Sequence, residues 1–292
     1  MTELQQGQIP QANPLKKYYR QPKQYIKLPS GYKFYPEGAI QVPESGEIAV
    51  YPMTAKDELL FKTPDALLNG EATVTVIQSC VPDIKDAWQV KSYDLDTILI
   101  AIRIATYGET MDINFNVPGT KETASHTVNL PALLDQIRLS KVEDSFVMAD
   151  GLKVTVNPLT YKDMTTTSMQ TFQQSKMYST VQGSEMPDEE KQKRFNEAFK
   201  VLTELNASLL QKNIRSMTMT DGTEITDPAH IKEFMDNANT KLVKEIEDKL
   251  TTLRAQGAVK PLKLKATEAQ IKSGAPANYE VPVTFDSANF FV

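Results

Sequence analysis

Imidazole and thiol are nearly missing from this chain. Its 292 residues include two histidines, His126 and His230, and one cysteine, Cys80. A single cysteine excludes an intramolecular disulfide and any cysteine-cluster zinc site. Glycine is sparse as well, and its twelve copies never cluster, so neither a phosphate-cradling loop nor a dinucleotide fingerprint is present. No run of about 18 apolar residues occurs, which excludes a spanning helix. The N-terminus lacks the apolar core of a signal peptide. Positive charge is in deficit, with 32 bases against 37 acids and a net charge of −5. That balance rules out a wholly basic nucleic-acid coat. What is present is a globular composition, 40% hydrophobic, long enough for one large or about two ordinary domains without a covalent staple.

The charge is unevenly placed. Residues 1–35 carry six bases and one acid, five net positive charges, so the remainder holds ten net negative ones. Residues 1–24 read as a flexible basic arm, rich in Gln, Pro and Lys and without periodicity. Lys16, Lys17 and Arg20 stand beside Tyr18 and Tyr19, with Tyr25 just beyond. Two readings stay open: a solvated tail, or an arm that folds onto an acidic neighbour or onto nucleic acid.

Residues 25–157 read as a mixed domain of short antiparallel strands and helices. Ile40 and Val42 alternate with polar residues, as do Ile48 and Val50, which predicts a hairpin around Glu44-Ser45-Gly46. Thr54 caps a helix that has Asp57 and Glu58 in its first turn. Pro64 starts a second short helix, and Ala72 to Cys80 forms a third. Residues 94–107 form a buried helix with Asp94 as its cap and Gly108 as a left-handed stop. Met111, Ile113, Phe115 and Val117 alternate as a half-buried strand, answered by a second near Ala124. A further hairpin turns at Ala149-Asp150-Gly151.

Residues 158–257 read as helical. A polar helix starts at Thr160. Helices over about 188–214 and 228–255 both keep a three-four apolar spacing, which predicts that they pair as an antiparallel hairpin. Between them, Met217 and Met219 face Ile225 across a small turn at the tip. Residues 258–292 supply a returning strand with Tyr279, Val281, Val283 and Phe285, then an apolar tail ending Phe290-Phe291-Val292. That tail either packs on its own core or docks on a partner. A mixed case fits best, with the strand pairing at home and Phe290 and Phe291 reaching a neighbour. The fold class is therefore α+β, with an inserted helical hairpin and a returning C-terminal strand.

A search for chemistry finds no catalytic or metal site. Cys80 lies in an apolar stretch and reads as a small core residue. Neither histidine has a glycine-rich elbow that exposes a nucleophile. Carboxylates are scattered without calcium-loop spacing. Trp88 reads as a core or interface anchor. No cofactor is expected.

The order of several motifs resembles a known family. Leu28-Pro29-Ser30 is followed by Tyr51-Pro52-Met53-Thr54-Ala55-Lys56-Asp57-Glu58, a helix ending at Cys80, Asp94-Leu95 through Ile102-Arg103, and Tyr107-Gly108-Glu109. Asn157-Pro158-Leu159-Thr160-Tyr161 and Val283-Thr284-Phe285-Asp286 come later. This order is similar to T-even-type myophage baseplate hub and hub-assembly proteins. Relatives carry Cys-x-x-Cys pairs at two places where this chain reads Pro118-Gly119-Thr120-Lys121 and Ser273-Gly274-Ala275-Pro276, so a zinc ribbon is not carried over. That leaves the rigidity of both loops to be explained.

The resemblance implies a non-enzymatic phage tail protein that assembles with hub, wedge or tape-measure proteins or with itself. It would be made in the host cytoplasm and end in the virion baseplate, or act as a transient chaperone for the tape-measure protein. A regulatory or nucleic-acid-binding module using the basic arm is the remaining alternative. The negative charge outside the arm argues against it. Partner-binding candidates are Lys16, Lys17, Tyr18, Tyr19, Arg20, Tyr25, Met217, Met219, Phe290 and Phe291. No membrane partner is expected.

Overall fold

The computed structural model describes residues 13–63, 69–182 and 186–283. Helices and several small antiparallel sheets share the chain, so the class is α+β. The principal core gathers around the helix Ser92–Tyr107 (α3), where Ile98, Ile100 and Ile102 are sealed from solvent. Around it lie the strands Gln24–Ile26 (β1) and Ile48–Val50 (β2), and the helices Ala55–Phe61 (α1), Glu71–Cys80 (α2) and Leu130–Leu139 (α4). Thr54 caps α1 by a complete capping box with Asp57.

The expected hairpin around Ser45 does not form. Ile48–Val50 pairs instead with Gln24–Ile26, and Ile40 makes an isolated bridge to Ile84. Alternation marks which residues can pair but not with which partner. Helix α4 went unread in the sequence, although Asn129 caps it and Pro131 fills its first turn. Gly108 ends α3 at φ 98 and ψ −174. That is an extended conformation open essentially to glycine alone, not the left-handed helical one expected.

Asp94 is not a helix cap. It lies inside the first turn of α3, after Lys91 at the cap position, and is fully buried. Its carboxylate accepts from the Ser30 amide (2.9 Å), the Ser30 hydroxyl (2.6 Å) and the Tyr35 hydroxyl (2.7 Å). A cap and a buried acceptor share the same local sequence signal; tertiary packing decides between them.

A second core lies under a four-stranded antiparallel sheet of Ser145–Val147 (β5), Lys153–Val156 (β6), Ile214–Thr218 (β7) and Glu224–Ile225 (β8), in that order. Register aligns Phe146, Val154, Met217 and Ile225 in one row across it. The row packs on the helices Pro228–Asn237 (α7) and Thr240–Gly257 (α8) through Ile231, Ile246 and Leu250. The expected single helix over 228–255 is thus two. Ala238 is extended, and the Asn239 side chain caps the second by accepting from the Leu242 amide.

The helical hairpin is inserted between β6 and β7, and its pairing differs from the expectation. Tyr161–Gln182 (α5) packs against Asp188–Lys212 (α6). The Tyr178 and Phe195 rings meet in a tilted contact, centroids 4.6 Å apart, near the connection. Lys212 reaches Asp163 at 2.7 Å at the open end, which fixes the antiparallel sense. The three-four spacing made α6 one half of a pair; the shorter chain connection gave it α5 rather than α7 and α8.

A third, small cluster joins the hairpin of Thr110–Asn116 (β3) and Thr123–Asn129 (β4) to Leu262–Lys265 (β9), Glu268–Lys272 (α9) and Asn278–Val281 (β10). The returning strand is present, and Val283 joins the principal core. The rest of the expected strand, through Phe285, lies outside the described residues, as does the short helix expected at Pro64. Here the two loops without cysteines meet backbone to backbone. A Cβ on Gly119 (φ +78) would stand 2.5 Å from the Gly274 carbonyl oxygen. Gln270 adds a hydrogen bond to Glu122 (3.1 Å). The two loops are thus joined by a close glycine-to-glycine backbone contact.

Gly119→Ala therefore meets both a steric overlap with backbone and an unfavourable φ. It should lower unfolding free energy by about 2–4 kcal/mol in urea denaturation. Gly38→Ala, with open space around it, serves as the control for positive φ alone. Equal effects at the two positions would rule out the loop-to-loop contact.

Candidate interaction surfaces

The basic segment enters the fold at Arg20. Asn13 caps a short 3-10 turn, Pro14–Tyr18, through its side chain. Beyond it, the Arg20 guanidinium donates to the Pro52 carbonyl (2.7 Å), the Ser79 carbonyl (2.7 Å), the Ser79 hydroxyl (2.9 Å) and Asp57 Oδ2 (3.3 Å). The same Asp57 oxygen accepts from the Thr54 amide and hydroxyl and from Ser79, so one buried carboxylate holds a helix cap and the incoming segment together. Lys23 then donates its amide to Val50. The described part of the arm is thus docked from Arg20 onward, and Arg20 itself is spent on internal bonds.

Its neighbours remain available. Lys16 and Lys17 are exposed, Lys17 lies over the Tyr18 ring, and Tyr18, Tyr19 and Tyr25 are all exposed. Cys80 closes the Arg20 site from beneath. Burial, and secondarily the Asp57 charge, push its thiol up to about 12, so it is a packed core group and not a nucleophile.

The two methionines separate. Met217 is buried in the second core, at the floor of an apolar cleft. Met219 is 46% exposed on the rim of the same cleft, of about 430 Å³, that Ile225, Ile231 and Phe234 also line. His230 stands at the same rim, 3.9 Å from Asp227. Phe290 and Phe291 lie outside the described residues. Among the described residues, no group of three or more His, Cys, Asp or Glu side chains converges as metal ligands, and no helix is long and apolar enough to cross a membrane.

Sequence reasoning missed the exposed aromatic side chains Phe172, Tyr178 and Phe199 on α5 and α6. The signal was there: α5 is too polar to cover a full apolar stripe on α6. Trp88 is a joint within the chain, stacked on Tyr161 at 5.8 Å.

A family model described as T4 bacteriophage base plate protein matches residues 23–272, most of the chain. No curated protein and no solved structure matches it.

Limited trypsin digestion should cut at Lys16 and Lys17 well before Arg20, whose guanidinium is engaged. Arg20→Ala should expose Lys23 to rapid cleavage and cost about 1–3 kcal/mol by leaving Asp57 and two carbonyls short of a donor. Cleavage after Arg20 as fast as after Lys16 would contradict the docked segment.

Proposed function

The chain belongs to the T4 bacteriophage base plate protein family, and from that premise we propose that it is a non-enzymatic tail component that helps build the baseplate hub through protein–protein contacts. The observation that carries this reading is the hairpin of α5 and α6. Among its described side chains only Val181 and Ala198 are buried. Phe172 is 56% and Phe199 74% exposed. Helices of this length in water draw most of their stability from a packed apolar face. Large aromatic side chains left open on a helical hairpin suit burial against another protein.

The partners that fit are other baseplate proteins of the hub, wedge or tape-measure classes. Charge supports protein over nucleic acid, because the exposed lysines of the N-terminal segment stand on a chain that is otherwise acidic. Assembly in the host cytoplasm followed by residence in the tail is the corresponding course.

Mass spectrometry of purified virions should find the chain in stoichiometric amount. Its absence would replace the structural reading with that of a departing chaperone. In the same system, Phe172→Ser with Phe199→Ser should leave stability within about 0.5 kcal/mol, as for surface changes, and block incorporation. A large loss of stability with normal incorporation would contradict the role of the hairpin.

A further inference from the structure

A groove of about 620 Å³ runs beside β1, with α3 as its floor and α4 as its far wall. Residues 24–29 line it without a gap. A strand that turned one face to a groove would contribute every second residue. An unbroken run means that the strand's backbone edge faces the groove. That edge is unpaired, since β1 has β2 as its single neighbour.

The floor carries a second observation. Thr97 is 5% exposed, lines the groove, and its hydroxyl has no hydrogen-bond partner. A buried hydroxyl left without a partner is costly, and most are satisfied.

We propose that this groove accepts an extended segment of another protein as an added strand on β1, apolar on its inward face and acidic on its outward face. Inward residues would lie over Ile26, Leu28 and Leu134, with Thr97 beneath. Outward ones would stand opposite Lys23, Tyr25 and Lys27, which point to solvent. Directly opposed side chains come within about 5 Å, so the lysine row sets the charge preference. Of the other charges of the lining, Glu47 stands across from Lys27 on the β2 side, one step past the Ile26–Ile48 pair and away from the added strand, while Glu109, Asp135 and Arg138 come from outside the β1–β2 pair; neither they nor the two lysines enter an ion pair within the described residues. A second copy is a poor occupant. Antiparallel pairing of two β1 strands about Tyr25 would set Lys23 against Lys27 twice, a like-charge clash. The inference rests on the assembly reading above and adds to it the class of segment recognised.

The test uses purified full-length chain and two fluorescent peptides, one alternating glutamate with valine, the other lysine with valine. The glutamate peptide should bind saturably and the lysine peptide should not. Lys23→Glu with Lys27→Glu should exchange the preference. Thr97→Val, which removes the unpartnered hydroxyl and makes the floor apolar, should leave binding of the glutamate peptide intact and the free protein's melting temperature unchanged or higher. No saturable binding, equal binding of both peptides, indifference to the charge exchange, or a Thr97→Val chain that melts lower would each overturn the proposal. Baseplate incorporation of the unmodified chain is read separately, so failure of the groove and failure of the assembly reading are distinguished.

Discussion

The Asp94 carboxylate, sealed from water, sets the geometry of the molecule at residues 88–94. Burial pushes its pKa up; the bonds from Ser30 and Tyr35 and the nearby Lys91 charge pull it back. The Tyr35 phenol is in turn pushed well above its ordinary value, by burial first and by the Asp94 charge second. Tyr35 also accepts from the Lys91 amide, so the loop 28–35 and the start of α3 are one hydrogen-bonded unit. The same few residues hold the second half of the chain. Lys91 bridges Thr160, the Ser92 amide donates to Leu159, the Tyr161 amide donates to Val90, and Trp88 stacks on Tyr161. A buried charge of this kind is stable only while every acceptor position is satisfied. Displacing the loop would therefore loosen the entry to α5 as well.

From that joint the helical hairpin projects with little of its surface covered, while the strand β1 runs back along α3 with one edge free. Both features are expensive in an isolated protein. Open aromatic side chains invite association, and an unpaired strand edge invites pairing. A protein that reaches its working state inside a larger assembly can retain both, because burial and pairing come from neighbours. The loops around Gly119 and Gly274 show the opposite strategy, a close backbone contact beside the third cluster made within the chain itself.

Much of the fold was legible in the sequence because local signals carry it. Strict alternation gave β3, and the Thr54 and Asp57 pattern gave α1 with its cap. Misreadings came where a local signal has two tertiary outcomes. Asp94 at a helix start looks like a cap until Ser30 and Tyr35 are brought from sixty residues away. Ile48 alternates as a hairpin strand would, yet pairs with Ile26. Three-four spacing announced a helix pair without saying which helices meet. For interaction sites, exposure was the missing quantity. Met217 and Met219 share one strand parity and line the same cleft, but Met217 lies inside β7, packed in the second core, whereas Met219 lies just past the end of the strand at the rim.

The central claim is that the Asp94 acceptor site holds both halves of the chain in register. Urea unfolding of Asp94→Asn, followed by helix signal and by fluorescence of Trp88, the single tryptophan, tests it most directly. The substitution keeps the shape but faces the Ser30 and Tyr35 hydroxyls with a second donor. The account predicts a loss of about 3–5 kcal/mol, as for breaking a buried charged network, seen equally by both signals. A change below about 0.5 kcal/mol, or a Trp88 environment untouched while the loop is released, would contradict it.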